Sequence, residues 1–113
     1  MITIDTLQQF GADTRQGLER CMNNEAFYLR LVNMGLDDKN FDKLKQAVRA
    51  GDRKAAFEAA HALKGVMSNL SLTPLCEPIA ELTELLRADR DADYPSLVDQ
   101  ILRLREKLVS LRD

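Results

Sequence analysis

From residue 97 onward the chain places large aliphatic side chains at Leu97, Ile101, Leu104, Leu108 and Leu111, a spacing of four, three, four and three residues. An α-helix completes a turn in about 3.6 residues, so such a series forms one apolar stripe along one side of a helix. The same rhythm recurs at Leu75, Ile79, Leu82 and Leu86, and again at Ala56, Ala59, Ala60, Leu63, Val66, Met67 and Leu70. A helix with one apolar stripe must bury it against other helices. Only five glycines and three prolines interrupt the chain, and no run of β-branched residues points to a sheet. The prominent Leu, Ala, Glu, Lys and Arg favour helix as well. The expected fold class is all-α.

Punctuation divides the chain. A short helical turn is expected over Ile4 to Phe10, broken by Gly11. Asp13 or Thr14 can cap a helix running to about Met22, with Leu18 and Met22 on one face. Asn23 and Asn24 are cap residues for a following helix that opens on Glu25. That helix carries Phe27, Leu31 and Met34, with Tyr28 and Val32 beside them, and Gly35 with the run 37–40 interrupts it. Asn40 can cap the next piece, whose apolar face is Phe41, Leu44 and Val48. Ala50-Gly51-Asp52 reads as a stop and a restart, with Gly beyond one helix and Asp capping the next. The next helix runs from about Arg53 to Leu70. Thr73 as cap and Pro74 at the first helical position open its successor. Pro78 lies deep enough to kink that helix or delay its start. Residues 89–93 form a polar connection, and Pro95 opens the last helix. Connections this short favour antiparallel neighbours. The architecture expected over residues 1–113 is one domain, an antiparallel up-down four-helix bundle with an N-terminal helical cap.

Several function classes are excluded early. The formal net charge is −2 and the pI about 5.4, with no basic tract, so nucleic acid is not an expected partner. No apolar run is long enough to span a membrane, and the N-terminal residues lack the pattern of a signal peptide. Cys21 and Cys76 lie far apart, without metal-ligand spacing, and read as reduced thiols of a cytoplasmic protein. No metal or cofactor is expected. The initiating Met and the full set of helices favour a free-standing protein, and a monomer is expected.

The chain has one histidine, His61. At about 100° per residue it lies roughly 160° around the helix from Leu63, a member of the core stripe, so it should face solvent. Lys54, Phe57, Glu58, Lys64, Gly65 and Ser68 share its side of the helix. Lys64, one turn on, can place an ammonium beside a tetrahedral anion on the imidazole. Gly65 removes a side chain where one would shield the ring, although Gly inside a helix costs about 1 kcal/mol relative to Ala. Phe57 can supply an apolar contact beside the reactive atom. Singly, a surface histidine, a lysine three residues on or a helical glycine more often does nothing. Their coincidence on one face is what carries information.

At His61-Ala62-Leu63-Lys64-Gly65 the chain resembles the histidine-containing phosphotransfer (HPt) family, whose signature is a helical His-x-Leu-Lys-Gly followed by Leu-Gly. Asn69-Leu70 fits the end of the motif, and Ser71 stands where the family usually has Gly. The likeness also takes in Ala50-Gly51-Asp52, Phe57 with Ala59-Ala60, and Leu82 with Leu85-Leu86, and runs from about Phe10 to Leu111. The resemblance implies a phosphocarrier without kinase activity of its own. His61 would accept a phosphoryl group from an aspartyl phosphate on a receiver domain and pass it to the aspartate of another. The partners implied are receiver domains of hybrid sensor kinases and response regulators, which bring Mg²⁺ and most catalytic groups. Lys64 would orient or neutralise the phosphoryl group, and Lys54, Phe57, Glu58, Gly65 and Ser68 would border the docking surface.

Two rivals differ in class. Glu58-Ala59-Ala60-His61 has the Glu-x-x-His spacing of di-iron bundles, but those need two such motifs facing inward, and this chain has one histidine facing out. A helical adaptor, with His61 incidental, is the stronger alternative. No nucleotide-binding Gly-rich loop supports a kinase, and no Ser or Cys pairs with His61 to suggest a triad.

Overall fold

The computed structural model describes residues 1–112 and is helical throughout, with no strand among the described residues. Seven helices follow one another: α1 (Ile4–Phe10), α2 (Thr14–Arg20), α3 (Glu25–Leu36), α4 (Asn40–Arg49), α5 (Arg53–Asn69), α6 (Thr73–Arg87) and α7 (Tyr94–Ser110). Local chemistry accounts for most of the boundaries. The Asp13, Asn24, Asp52 and Asp93 side chains accept from the backbone N–H groups of Gln16, Phe27, Ala55 and Ser96, which a helix start otherwise leaves without partners. Gly51 stands between α4 and α5 at φ +70°, a left-handed conformation open to glycine at no steric cost.

α5 packs against α4 and α6, and α7 packs against the same two helices, so α4 to α7 close a ring. Its interior holds Phe41, Leu44, Ala56, Ala60, Leu63, Met67, Leu75, Ile79, Leu82 and Ile101, all essentially inaccessible to solvent. α1 to α3 gather where α5 and α7 end. The backbone N–H of Asp13 donates to Ser71 O at 2.9 Å, and Tyr28 Oη donates to Leu70 O at 2.8 Å. Arg105 Nε donates to Leu36 O at 2.6 Å, and the Arg112 guanidinium donates to Asn33 O and pairs with Asp37. One cluster of buried side chains runs from Ile2 to Leu108.

Several sequence expectations need correction. On α3 two of the three residues of the expected stripe face outward: Phe27 and Met34 are 42% and 62% exposed and Leu31 is half-buried against the core, while Tyr28, Val32, Gly35 and Leu36 are buried. α3 ends at Leu36, so Gly35 and the run 37–40 interrupt it as expected, and a Cβ added at Gly35 would come within 2.5 Å of Leu70 Cδ1. α2 ends at Arg20, and Met22, in a left-handed turn at φ +56°, is exposed instead of sharing a packed face with Leu18. Asn40 does not cap α4; the Asp38 carboxylate takes its backbone N–H and its side-chain amide. α6 begins at Thr73 with no side-chain cap, so Pro78 sits inside the helix without delaying its start. In α7 the buried face is Tyr94, Val98, Ile101 and Leu108, with Leu97, Leu104 and Leu111 at its margin. Val66 of α5 is likewise only half-buried.

Ser71 closes the turn after α5 at φ +57°. A left-handed residue other than glycine costs about 1 kcal/mol. The Ser71 hydroxyl makes use of the position by donating to Gln16 Oε1 at 2.8 Å. A serine here therefore ties the turn to α2, which glycine could not do.

Candidate functional site

α5 is a 17-residue helix, and His61 is its ninth residue. Ala56, Ala59, Ala60, Leu63 and Met67 point into the ring and fix the rotation of the helix. The opposite side, carrying His61, is therefore held toward solvent, and the imidazole is exposed. The small alanines on the core side let neighbouring helices approach closely.

The Phe57 ring stacks on the imidazole one turn before it, with centroids 5.7 Å apart and planes inclined by 12°. At that separation nearly parallel rings are offset, a favoured arrangement for aromatic pairs. The imidazole thus has an aromatic neighbour on one side and remains exposed. Among the described residues no hydrogen bond or ion pair engages the His61 ring or the Lys64 ammonium, so both are available to an incoming group. Lys64 is half-buried on the turn that follows. At Gly65 an added Cβ would meet nothing within 4 Å, so the space above this turn is open.

The remaining expected residues divide around this centre. Lys54 lines a shallow groove between α5 and α6 together with Phe57 and Arg87. Glu58 lines another, between α5 and α4, with Lys43 and Gln46. Ser68 lies two turns beyond His61, where its carbonyl accepts from Arg20 and its hydroxyl lies 4.0 Å from Cys76 Sγ. The structure thus brings Phe57, His61, Lys64 and Gly65 together, sets Lys54 and Glu58 on the two flanks, and places Ser68 at the junction with α2. Cys76, beside Ser68, is half-buried, and burial pushes its thiol upward from the ordinary range.

Arg87 is the residue that sequence reasoning missed. Its guanidinium carbon lies 5.3 Å from the centroid of the Phe57 ring, and its Nε pairs with Glu84 at 3.3 Å. Nothing in local spacing links the end of α6 to the middle of α5; only the fold does.

Farther down α5, Arg53 anchors the helix start. It pairs with Asp89 and Asp91, each at 2.8 Å, and its guanidinium lies over the Tyr94 ring. Those hydrogen bonds, first to Asp91 and then to Asp89, hold the Arg53 pKa well above the usual arginine range. Among the described residues no three His, Cys, Asp or Glu side chains cluster as a metal site would require, and no helix is long and apolar enough to cross a membrane.

Chemically, the arrangement offers an exposed imidazole, a lysine on the following turn and open space at Gly65. A family model described as Hpt domain matches residues 38–113, about two-thirds of the chain. The match begins just before α4, past the first three helices, over most of which the resemblance was also expected to run. No curated protein and no solved structure gave a match to the chain.

Proposed function

The chain belongs to the Hpt domain family, whose members are phosphocarriers of two-component signalling that work with receiver domains, and from that premise we propose that it carries the phosphoryl group on His61. The observation that carries this reading is the exposed imidazole, held by no hydrogen bond or ion pair among the described residues, at the middle of a helix whose other side is buried in the ring. A ring-nitrogen lone pair attacks the phosphorus of an aspartyl phosphate on a receiver, and the phosphorus–oxygen bond to the aspartate breaks. The carboxylate leaves, and the reverse sequence delivers the group to a second receiver. Transfer of this kind depends on alignment and charge stabilisation more than on covalent chemistry by the carrier. Lys64 supplies one positive charge beside the tetrahedral group, and the receiver brings the metal and the remaining catalytic groups.

Phe57, Gly65 and the flanking Lys54 and Glu58 border the docking surface, with Ser68 at its far edge. α4 to α7 serve as an up-down bundle and α1 to α3 as its cap, a reading supported by the closed ring of packing and the short connections at 50–52, 70–72 and 88–93. The single buried cluster supports one domain.

Incubation with receivers carrying labelled aspartyl phosphate tests the proposal. The expected product is an acid-labile, base-stable label on the parent and none on His61→Gln, with the helical circular dichroism unchanged. Substitution of an exposed residue away from packing stays within about ±0.5 kcal/mol. Label retained on His61→Gln would move the acceptor elsewhere. Absence of label on the parent with every receiver, while partner binding persists, would leave an adaptor.

A further inference from the structure

Arg87 lies in a groove with Arg53, Lys54, Phe57 and Leu86, on the side of Phe57 toward the start of α5. His61 lies one turn the other way. The Phe57 ring therefore has two neighbours, a guanidinium 5.3 Å from its centroid and the imidazole 5.7 Å from it. An aromatic face attracts a cation because its quadrupole is negative there. Arg87 is itself held by Glu84, one turn earlier on α6. The series Glu84, Arg87, Phe57, His61 is continuous from one helix to the next, and only its last member carries the reacting atom.

We propose that Arg87 is a positioning residue for His61, acting through the Phe57 ring. The guanidinium holds the half-buried Phe57 in one orientation, and the ring covers one face of the imidazole, so His61 presents its nitrogen-bearing edge in a single direction. Phosphoryl transfer needs the attacking nitrogen, the phosphorus and the leaving oxygen near one line, and orientation fixed in advance raises the fraction of productive encounters. The inference rests on His61 being the phosphoryl acceptor. It extends that reading to α6, a helix on which none of the expected site residues lies.

The test has two arms. In the isolated protein, the His61 carbon-bound ring protons should show a ring-current shift from the stacked Phe57. That shift should shrink in Arg87→Gln, persist in Arg87→Lys and vanish in Phe57→Leu. In receiver-to-His61 transfer, Arg87→Gln should slow the parent about two- to fivefold, the equivalent of one partly exposed cation–π contact. It should add no further slowing in the Phe57→Leu background. An unchanged ring-current shift in Arg87→Gln would overturn the proposal. So would equal slowing in both backgrounds, which would mean that Arg87 meets the partner directly. If His61 were not the acceptor, the transfer arm would fail already in the parent, whereas the spectroscopic arm would still report on the stack.

Discussion

A Cβ added at Gly35 in α3 would come within 2.5 Å of Leu70 Cδ1, whereas one added at Gly65 in α5 would meet nothing within 4 Å. Both glycines lie inside helices, where the residue type carries the same penalty. At Gly35 the missing side chain lets α3 seat against the end of α5. At Gly65 it leaves a gap on the outside of the helix, one turn beyond His61. The same departure from good helix-forming sequence thus serves packing in one region and access in the other. A glycine in an amphipathic helix has no meaning until the face it occupies is known.

Substitutions sharpen the contrast, and the largest effect is expected at a third glycine. A Cβ at Gly17 of α2 would lie 2.5–2.6 Å from the Tyr28 ring and hydroxyl. That ring is rigid, fully buried and tethered by its hydroxyl to Leu70 O, so it cannot swing aside. Gly17→Ala should lower stability by about 3 kcal/mol, the upper part of the usual overpacking range, in urea or thermal unfolding. Gly35→Ala meets the flexible end of a leucine and recovers some helix propensity, so a loss of about 1–2 kcal/mol is expected. A gain in stability at Gly35 would erase the distinction between the two helices.

Tyr28→Phe probes the same junction more gently. It should lower stability by about 1 kcal/mol at neutral pH, since Leu70 O loses its phenolic donor. Burial, aided by Cys21 and Asp13, raises the Tyr28 pKa from 10.0 to about 12. The folded state then keeps a proton that the unfolded chain releases, so this contribution is whole below pH 10 and declines as the pH rises toward 12. Alkaline unfolding series of parent and variant should converge over that window. A constant difference would mean that the phenol titrates normally.

Gly65→Ala should have the smallest effect on stability and the opposite sign, a gain of up to about 1 kcal/mol. Gly65→Gln should fold normally yet slow receiver-to-His61 transfer strongly, because its side chain fills the open approach. Parental transfer in a stable Gly65→Gln protein would remove the case for access, and destabilisation by both substitutions would make Gly65 a packing residue like Gly35.

These pairs also explain what the sequence could disclose. In α5 the buried residues form one stripe with polar and small residues opposite, so its rotation, and with it the exposure of His61, was legible. α3 carries two adjoining apolar rows. Phe27, Leu31 and Met34 are the more hydrophobic, but Tyr28 finds a buried acceptor in Leu70 O and Gly35 allows close approach, so the other row turns inward. Hydrophobicity alone does not rank two such rows; the contour of the opposing surface does. α7 shows a milder case, where the leucine series marks the margin and Tyr94 and Val98 lie deeper. The residues of the site that lie within two turns of His61 could be read from periodicity. Arg87 could not, because its place over Phe57 depends on how α6 packs beside α5.

The contacts that fasten α3 to the end of α7 bear on the order in which the chain takes shape. Leu36 O receives its hydrogen bond from Arg105, 69 residues downstream, and Asn33 O from Arg112, 79 residues downstream. A ribosome adding roughly 5–20 residues per second needs roughly 3 to 14 seconds to cover the first of these distances. Through that interval α3 has been synthesised but its C-terminal carbonyls have no guanidinium to receive. α4, α5 and α6 emerge meanwhile and can pack through contacts close in sequence, which form at little entropic cost. Vectorial synthesis thus favours assembly of the His61 platform first and capture of the earliest-made helices last. In the finished protein the same junction should be the first to open, ahead of the ring, in native-state hydrogen exchange.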